Sequence, residues 1–315
     1  MGVQLGAIKR KPKGPAALWN VQNARHLVQA GFLATVVIMA VRHALVPEGS
    51  LNAPPSPEAY CPFGGIETLY QWLATGKYIH HAHASNLIVL CGVLLSAILL
   101  KSSFCGWICP FGTLQEALMG FTRLLERRFK PVARFAKALK ARARATGLAR
   151  ADRYLRWGKY VVLAYLLWGT IVVGRMVFRP YDPYITALDI AEATLGPGLI
   201  ILAAVVVLSF FVERPWCRYA CPLSPIIGLV GKLAPVKIER TASYCKGCSI
   251  CEARCPMNLP VATADRISAV DCNNCLKCID TCPRGGALDL VLRWPWSKPR
   301  VAPTPPLVVS LPAGK

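Results

Sequence analysis

Between residues 245 and 283 one cysteine spacing occurs twice: Cys245-x2-Cys248-x2-Cys251-x3-Cys255-Pro256, then Cys272-x2-Cys275-x2-Cys278-x3-Cys282-Pro283. Three closely spaced thiolates wrap three corners of a cubane, and the fourth cysteine of each run is directed away to complete the other cluster. This is the spacing of a bacterial two-cluster ferredoxin. It predicts one [4Fe–4S] cluster on Cys245, Cys248, Cys251 and Cys282 and a second on Cys272, Cys275, Cys278 and Cys255. Crossed ligation staples residues 237–292 into a small α+β ferredoxin-like domain. Zinc is the alternative for eight cysteines, and the doubled spacing with both following prolines speaks against it. Lys246, Gly247, Asn273 and Asn274 leave backbone amides near the sulfurs, and Lys277 can offset cluster charge.

Upstream, four apolar stretches at roughly 27–46, 86–104, 160–178 and 196–212 approach the ~20 residues that cross a hydrocarbon layer of about 30 Å. Of the 315 residues 54% are hydrophobic and 17% charged, too apolar for an ordinary soluble protein of this size. The expectation is an all-α polytopic membrane protein with four transmembrane helices, plus the ferredoxin-like domain. The boundaries expected are a basic tail at 1–26, a four-helix membrane domain at 27–236, the cluster domain at 237–292 and a Pro-rich tail at 293–315. The first helix reads as a retained anchor, since no small-x-small cleavage site follows its apolar run.

The net charge of +21 belongs to one side of this arrangement. Lys9, Arg10, Lys11, Lys13 and Arg25 precede the first helix, and twelve Lys and Arg residues lie between residues 123 and 156. The positive-inside rule places these segments, and both termini, on the cytoplasmic side of an inner membrane, and no nucleic-acid partner is called for. Residues 113–154 are basic and laced with apolar side chains, as amphipathic helices on an anionic leaflet would be. Residues 47–84, with Glu48, Glu58 and Glu67 against Lys77, read as an outer loop.

A second repeat stands at the membrane boundary. Cys105-x3-Cys109-Pro110 follows the second apolar stretch and Cys217-x3-Cys221-Pro222 the fourth. If these helices pack side by side the four thiols converge, for a third cluster, for copper, for dithiol exchange or for structure alone. Cys61 heads a similar Cys-Pro-Phe-Gly segment but reads as lying on the opposite side of the membrane, where it lines a quinone or partner pocket or simply packs. Cys91 reads as a packing residue. Arg42, His43, His80, His81 and His83 fall near the outer helix ends, where imidazoles can accept quinol protons, ligate haem or anchor the interface.

On these motifs the chain resembles the membrane polyferredoxin family, which includes the quinol-dehydrogenase membrane subunit of periplasmic nitrate reductase systems, the membrane core of the nitrous-oxide-reductase regulator and the accessory protein for cbb3-type oxidase assembly. The resemblance runs over about residues 24–290 and rests on CPFGGIE from Cys61, FCGWICPFGTLQE from Phe104, RPWCRYACPLSP from Arg214 and the doubled cysteine run. It implies an electron-transfer subunit that draws on membrane quinol and works with a second iron–sulfur or cytochrome subunit toward a respiratory reductase. Haem or flavin is left open. The layout looks closest to the nitrate-reductase subunit, and the oxidase-assembly members keep a copper-reducing or maturation role open as the alternative. By this reading both ferredoxin clusters face the cytoplasm, away from a periplasmic reductase, so the route of electrons across the membrane is open.

Overall fold

The computed structural model describes residues 20–46, 60–76, 84–134, 138, 148–174, 176–188, 196–294 and 296–297. Helix α1 covers Val21–Leu45, and most of its side chains face outward, Leu27 and Leu45 being more than three-quarters exposed. Helix α2 (Pro62–Thr75) begins at a proline whose missing N–H costs a helix nothing in its first turn. It packs along α3 (Ala84–Leu100) through Gly64 and Gly65. A Cβ on Gly65 would stand 2.5 Å from the Asn86 carbonyl oxygen, so this approach needs glycine.

Residues 47–84 were expected to be an outer loop, and α2 corrects that. Proline at the helix start and apolar side chains at Phe63, Ile66 and Tyr70 give one face of the segment a helical period, and that face is pressed against α3 and α6.

At Lys101 the backbone turns left-handed (φ 61°) and α3 stops. A single π-helical turn over Phe104–Ile108 carries the chain into α4 (Pro110–Arg128), which buries Phe111, Gln115, Glu116 and Met119. Helices α5 (Leu148–Leu155) and α6 (Gly158–Val173) follow, the latter closed by Gly174 in the left-handed region. The short α7 (Pro183–Leu188) leads to α8 (Pro197–Ser209), then α9 (Pro215–Tyr219) and α10 (Leu223–Val230).

All four apolar stretches are helical within the described residues, but only α1 is long and apolar enough to cross a membrane alone. Helices α3, α6 and α8 have 17, 16 and 13 residues, or about 26, 24 and 20 Å at 1.5 Å per residue. The apolar composition continues past each helix end, whereas the backbone does not: α3 stops at Lys101 and α6 at Gly174, both with positive φ.

The last part of the chain is a small α+β unit. Strands β1 (Val236–Arg240) and β2 (Leu288–Leu292) pair antiparallel with Val236 opposite Leu292, and the short helices α11 (Ile250–Ala253) and α12 (Lys277–Thr281) follow the third-from-last cysteine of each run. Its core of Ile238, Met257, Leu259, Val261 and Ile267 also contains Cys251, Cys272 and Cys278. A separate core joins Phe63, Val93, Ala97, Leu166, Phe178 and Ile227.

Candidate metal centres

All fourteen cysteines are free thiols, and all but Cys91 stand in three groups, each around its own cavity. Cys245, Cys248, Cys251 and Cys282 line a cavity of about 80 Å³ with Arg240, Lys246 and Arg284 at its edge. Cys248 is exposed at the surface. Cys255, Cys272, Cys275 and Cys278 line a second, tighter cavity walled by Ile238, Leu259, Val261 and Ile267, with Cys272, Cys275 and Cys278 all buried.

The two runs wrap their cavities with the same backbone. Gly247 and Asn274, each two residues after the first cysteine of its run, have φ of 66° and 50°. Ser249 and Leu276, two residues further on, have φ of 52° and 58°. A left-handed leucine is costly unless its surroundings over-determine it. Its recurrence at equivalent positions suits a loop that must curl around a ligand and turn its amides inward.

The third group was not local in sequence. Cys105 on the π-turn, Cys109 between it and α4, and Cys217 and Cys221 around α9 line one cavity of about 110 Å³ together with Phe104, Phe111, Trp216 and Leu223. Helices α4 and α9 are brought together by the Gln115 side chain, which accepts from the Trp216 amide at 3.0 Å and reaches Cys217 Sγ at 3.7 Å.

Cys61 lines the same cavity, with Asp182 and Tyr184 beside it, and its thiol donates to Asp182 Oδ2 at 3.6 Å. The sequence reading put Cys61 apart, on the opposite side of the membrane. Helix α2 lies along α3, so its first residue sits beside Val93 and Ala97 in the same core as Cys105 and Cys221.

Among the described residues no three Cys, His, Asp or Glu side chains close on a single-ion point.

The second and third cavities share a wall, since Met257 and Asn273 line both. A Cβ on Gly106 would fall 2.2 Å from the Asn273 carbonyl oxygen, so the π-turn rests directly on the cysteine loop. Trp107 Nε1 donates to the Asn274 carbonyl at 3.0 Å, Gln22 Nε2 to the Cys275 carbonyl at 2.9 Å, and Asn274 Nδ2 to Leu100 O and Ser103 Oγ.

Glu116 organises the charge at this junction. It pairs with Arg25 from α1, with Arg214 at 2.8 Å and with Lys277 from α12 at 2.7 Å, while Arg25 Nε and Gln29 Nε2 also donate to the Gly106 carbonyl. Burial alone would raise the Glu116 carboxyl, but Arg214, Lys277 and Arg25 hold it well below the usual carboxylate range. Arg214 is wholly buried and also donates to the Cys105 carbonyl. A second tie joins Asp271 to Lys159 and Arg156, and Arg156 donates to the Met257 carbonyl at 2.9 Å.

Of the outer-face candidates, Arg42 is exposed and His43 half-buried in the last turn of α1. His80, His81 and His83 lie outside the described residues. Cys91 is exposed on α3. Sequence reasoning missed Glu116, Asp182 and Glu67 as site residues, and counted Arg25 only as tail charge. Their positions beside FCGWICPFG, before the Pro-Tyr pair and after Cys-Pro-Phe-Gly-Gly were the available signals.

A family profile described as a 4Fe–4S binding domain matches residues 82–130 and 194–241. These are the segments that carry Cys105 and Cys109, and Cys217 and Cys221. The chain is 28% identical over 245 residues to a putative electron transport protein, YccM of Escherichia coli K12, covering 76% of this chain and 64% of that one. It thus spans a little under two thirds of that relative's length. It is 23% identical to the ferredoxin-type protein NapH of the same organism, over 70% of this chain and 74% of the relative. It is 26% identical to the regulatory protein NosR of Pseudomonas aeruginosa, over 56% of this chain and 23% of the relative. No solved structure matches the chain.

Proposed function

The chain belongs to the membrane polyferredoxins related to NosR and NapH, and from that premise we propose that it is a membrane-anchored iron–sulfur relay of a respiratory system, fed by membrane quinol. The observation that carries the reading is the three cysteine-lined cavities, the second and third sharing the Met257 and Asn273 wall. A [4Fe–4S] cluster in each ring would supply one-electron storage.

The residues of the chain do the rest. The twelve ring cysteines are the ligands, and Ile238, Leu259, Val261 and Ile267 keep water from the middle ring. Gly106, Trp107 and Gln22 hold the membrane part against the Cys275 loop, so that electrons cross between bonded segments rather than a solvent gap. Arg25, Arg214 and Lys277 place positive charge beside the buried rings and ease the accumulation of negative charge there. The exposed Cys248 edge is where a second iron–sulfur or cytochrome subunit exchanges electrons on the way to a reductase.

In the same reading α1, α3, α6 and α8 span an inner membrane, with the termini and the cysteine-run domain on the cytoplasmic side. The basic residues on α4 and α5 support that orientation. The 4Fe–4S profile across both Cys-x3-Cys-Pro segments supports a cluster as occupant of the third ring. The test is quinol-driven cluster reduction in membranes, followed optically. Substituting Cys248 and Cys275 together should remove iron and abolish the signal; full iron and full quinol-driven reduction in the double variant would sink the proposal.

A further inference from the structure

Glu67 is wholly shielded from solvent inside the helical part of the molecule. Its Oε1 accepts three hydrogen bonds, from Thr170 Oγ1 at 2.9 Å and from the Val177 and Phe178 amides at 3.2 Å. Its Oε2 is buried with no hydrogen-bond partner, and so is Oε1 of Gln71, one helical turn further along the same face of α2. Two buried acceptors one helical turn apart would both be satisfied if the carboxyl carried a proton and donated it to Gln71, because a carboxylic acid has one O–H to donate. An ionised carboxylate there would leave an oxygen without a donor in a dry site.

The group is not remote from the cysteines. Phe178, whose amide it accepts, lines the third cavity and packs edge-on against Phe63, which lines it too. Asp182, the carboxylate beside Cys61, acts on Glu67 electrostatically. From α6 the facing group is Thr170, and α3 presents Asn86 to Gly64 and Gly65 just before Glu67. Ionisable groups inside a membrane domain mark proton or charge pathways by default.

We propose that Glu67 holds a proton against Gln71 and exchanges it in step with electrons entering and leaving the cysteine-lined cavity. An electron arriving there adds negative charge near Glu67, so carboxyls that are still ionised take a proton from bulk water onto Oε2 and the protonated fraction rises. When the electron leaves, that fraction falls again as the O–H bond breaks and the proton returns to water. The added charge is balanced to the extent that Oε2 gains a proton, and no other bond is made or broken. The inference rests on the reading that this cavity houses a redox centre, but it does not depend on quinol as the donor.

The test is infrared difference spectroscopy on the full chain in phospholipid nanodiscs, oxidised against dithionite-reduced, with iron counted in the same samples. A carboxylic-acid carbonyl band that changes on reduction is expected at neutral pH. It should vanish in Glu67→Gln, return at a shifted frequency in Glu67→Asp, and move in Gln71→Leu, all with iron content unchanged. A band that persists in Glu67→Gln, no carboxylic-acid band anywhere in the neutral range, or a band indifferent to reduction overturns the proposal. The second of these results would mean that Gln71 turns its amide N–H toward an ionised Glu67. Failure of the underlying reading looks different: iron would match two clusters only, and the Glu67 band would stand in the absolute spectrum but not in the redox difference.

Discussion

The two cysteine runs have the same spacing and the same left-handed residues, yet they build opposite surroundings. The ring of Cys245, Cys248, Cys251 and Cys282 reaches the surface among Arg240, Lys246 and Arg284. The ring of Cys272, Cys275, Cys278 and Cys255 is buried among aliphatic side chains and bolted to the helical part through Asn273, Asn274 and Cys275. Spacing sets how a cluster is held, whereas what the loop packs against sets whom it can reach. On the proposed relay the buried ring is the internal step and the open ring the exit.

The sharpest way to break this contrast is to compare Cys275→Ala with Cys248→Ala. Losing Cys275 should stop electrons before the exit, reducing transfer to an external acceptor by more than the roughly 10–100-fold that loss of a group merely hydrogen-bonded to a ligand costs. Losing Cys248 should leave reduction of the third centre by dithionite intact while transfer outward fails. Equal, partial losses in both variants, read by stopped-flow absorbance, would erase the distinction.

Glu116→Gln comes next. It leaves Arg25, Arg214 and Lys277 without their carboxylate, and breaking a buried ion pair costs about 3–5 kcal/mol. The effect should fall on the junction with the buried ring and spare the open one, as hydrogen exchange at α12 and α11 would record. The pH dependence has a definite sign. Because the folded carboxyl lies below its unfolded value of about 4.3, its contribution is complete above that value and declines as the pH falls toward the folded one.

Gly106→Ala should cost about 1–3 kcal/mol by overpacking against the Asn273 carbonyl, seen as a lowered Tm with both ferredoxin rings still loaded. Asn274→Gly keeps the left-handed backbone but drops two side-chain hydrogen bonds, so about 1–2 kcal/mol is expected in denaturant titrations. Cys91→Ser, on the exposed face of α3, should change stability by no more than about 0.5 kcal/mol and leave the iron content untouched.

Local chemistry was legible in the residues, and so was the meeting of Cys105, Cys109, Cys217 and Cys221; the arrival of Cys61, Glu116 and Glu67 beside them was not. The grouping of eight cysteines around two cavities could be read because spacing is a local property, and their role as cluster ligands belongs to the proposal. Helix existence was legible in the apolar stretches, but helix length was not, because a left-handed Lys101 leaves no mark in composition. Cys61 was misplaced because its depth depends on α2 lying along α3. Glu116 gathers cations from α1, from Arg214 ahead of α9 and from α12, residues as far apart as 25 and 277, and no single window of sequence contains that network. Glu67 read as a solvated loop acid because the packing of α2 against α6 was not apparent.

The central claim is that the chain holds three centres in a row, and iron and acid-labile sulfide per chain test it most directly. Protein purified without oxygen should carry about twelve irons, three clusters of four, and Cys109→Ser with Cys221→Ser should lower that to about eight with both ferredoxin clusters spectroscopically intact. About eight irons in the unaltered chain, unchanged by the double substitution, would contradict the account.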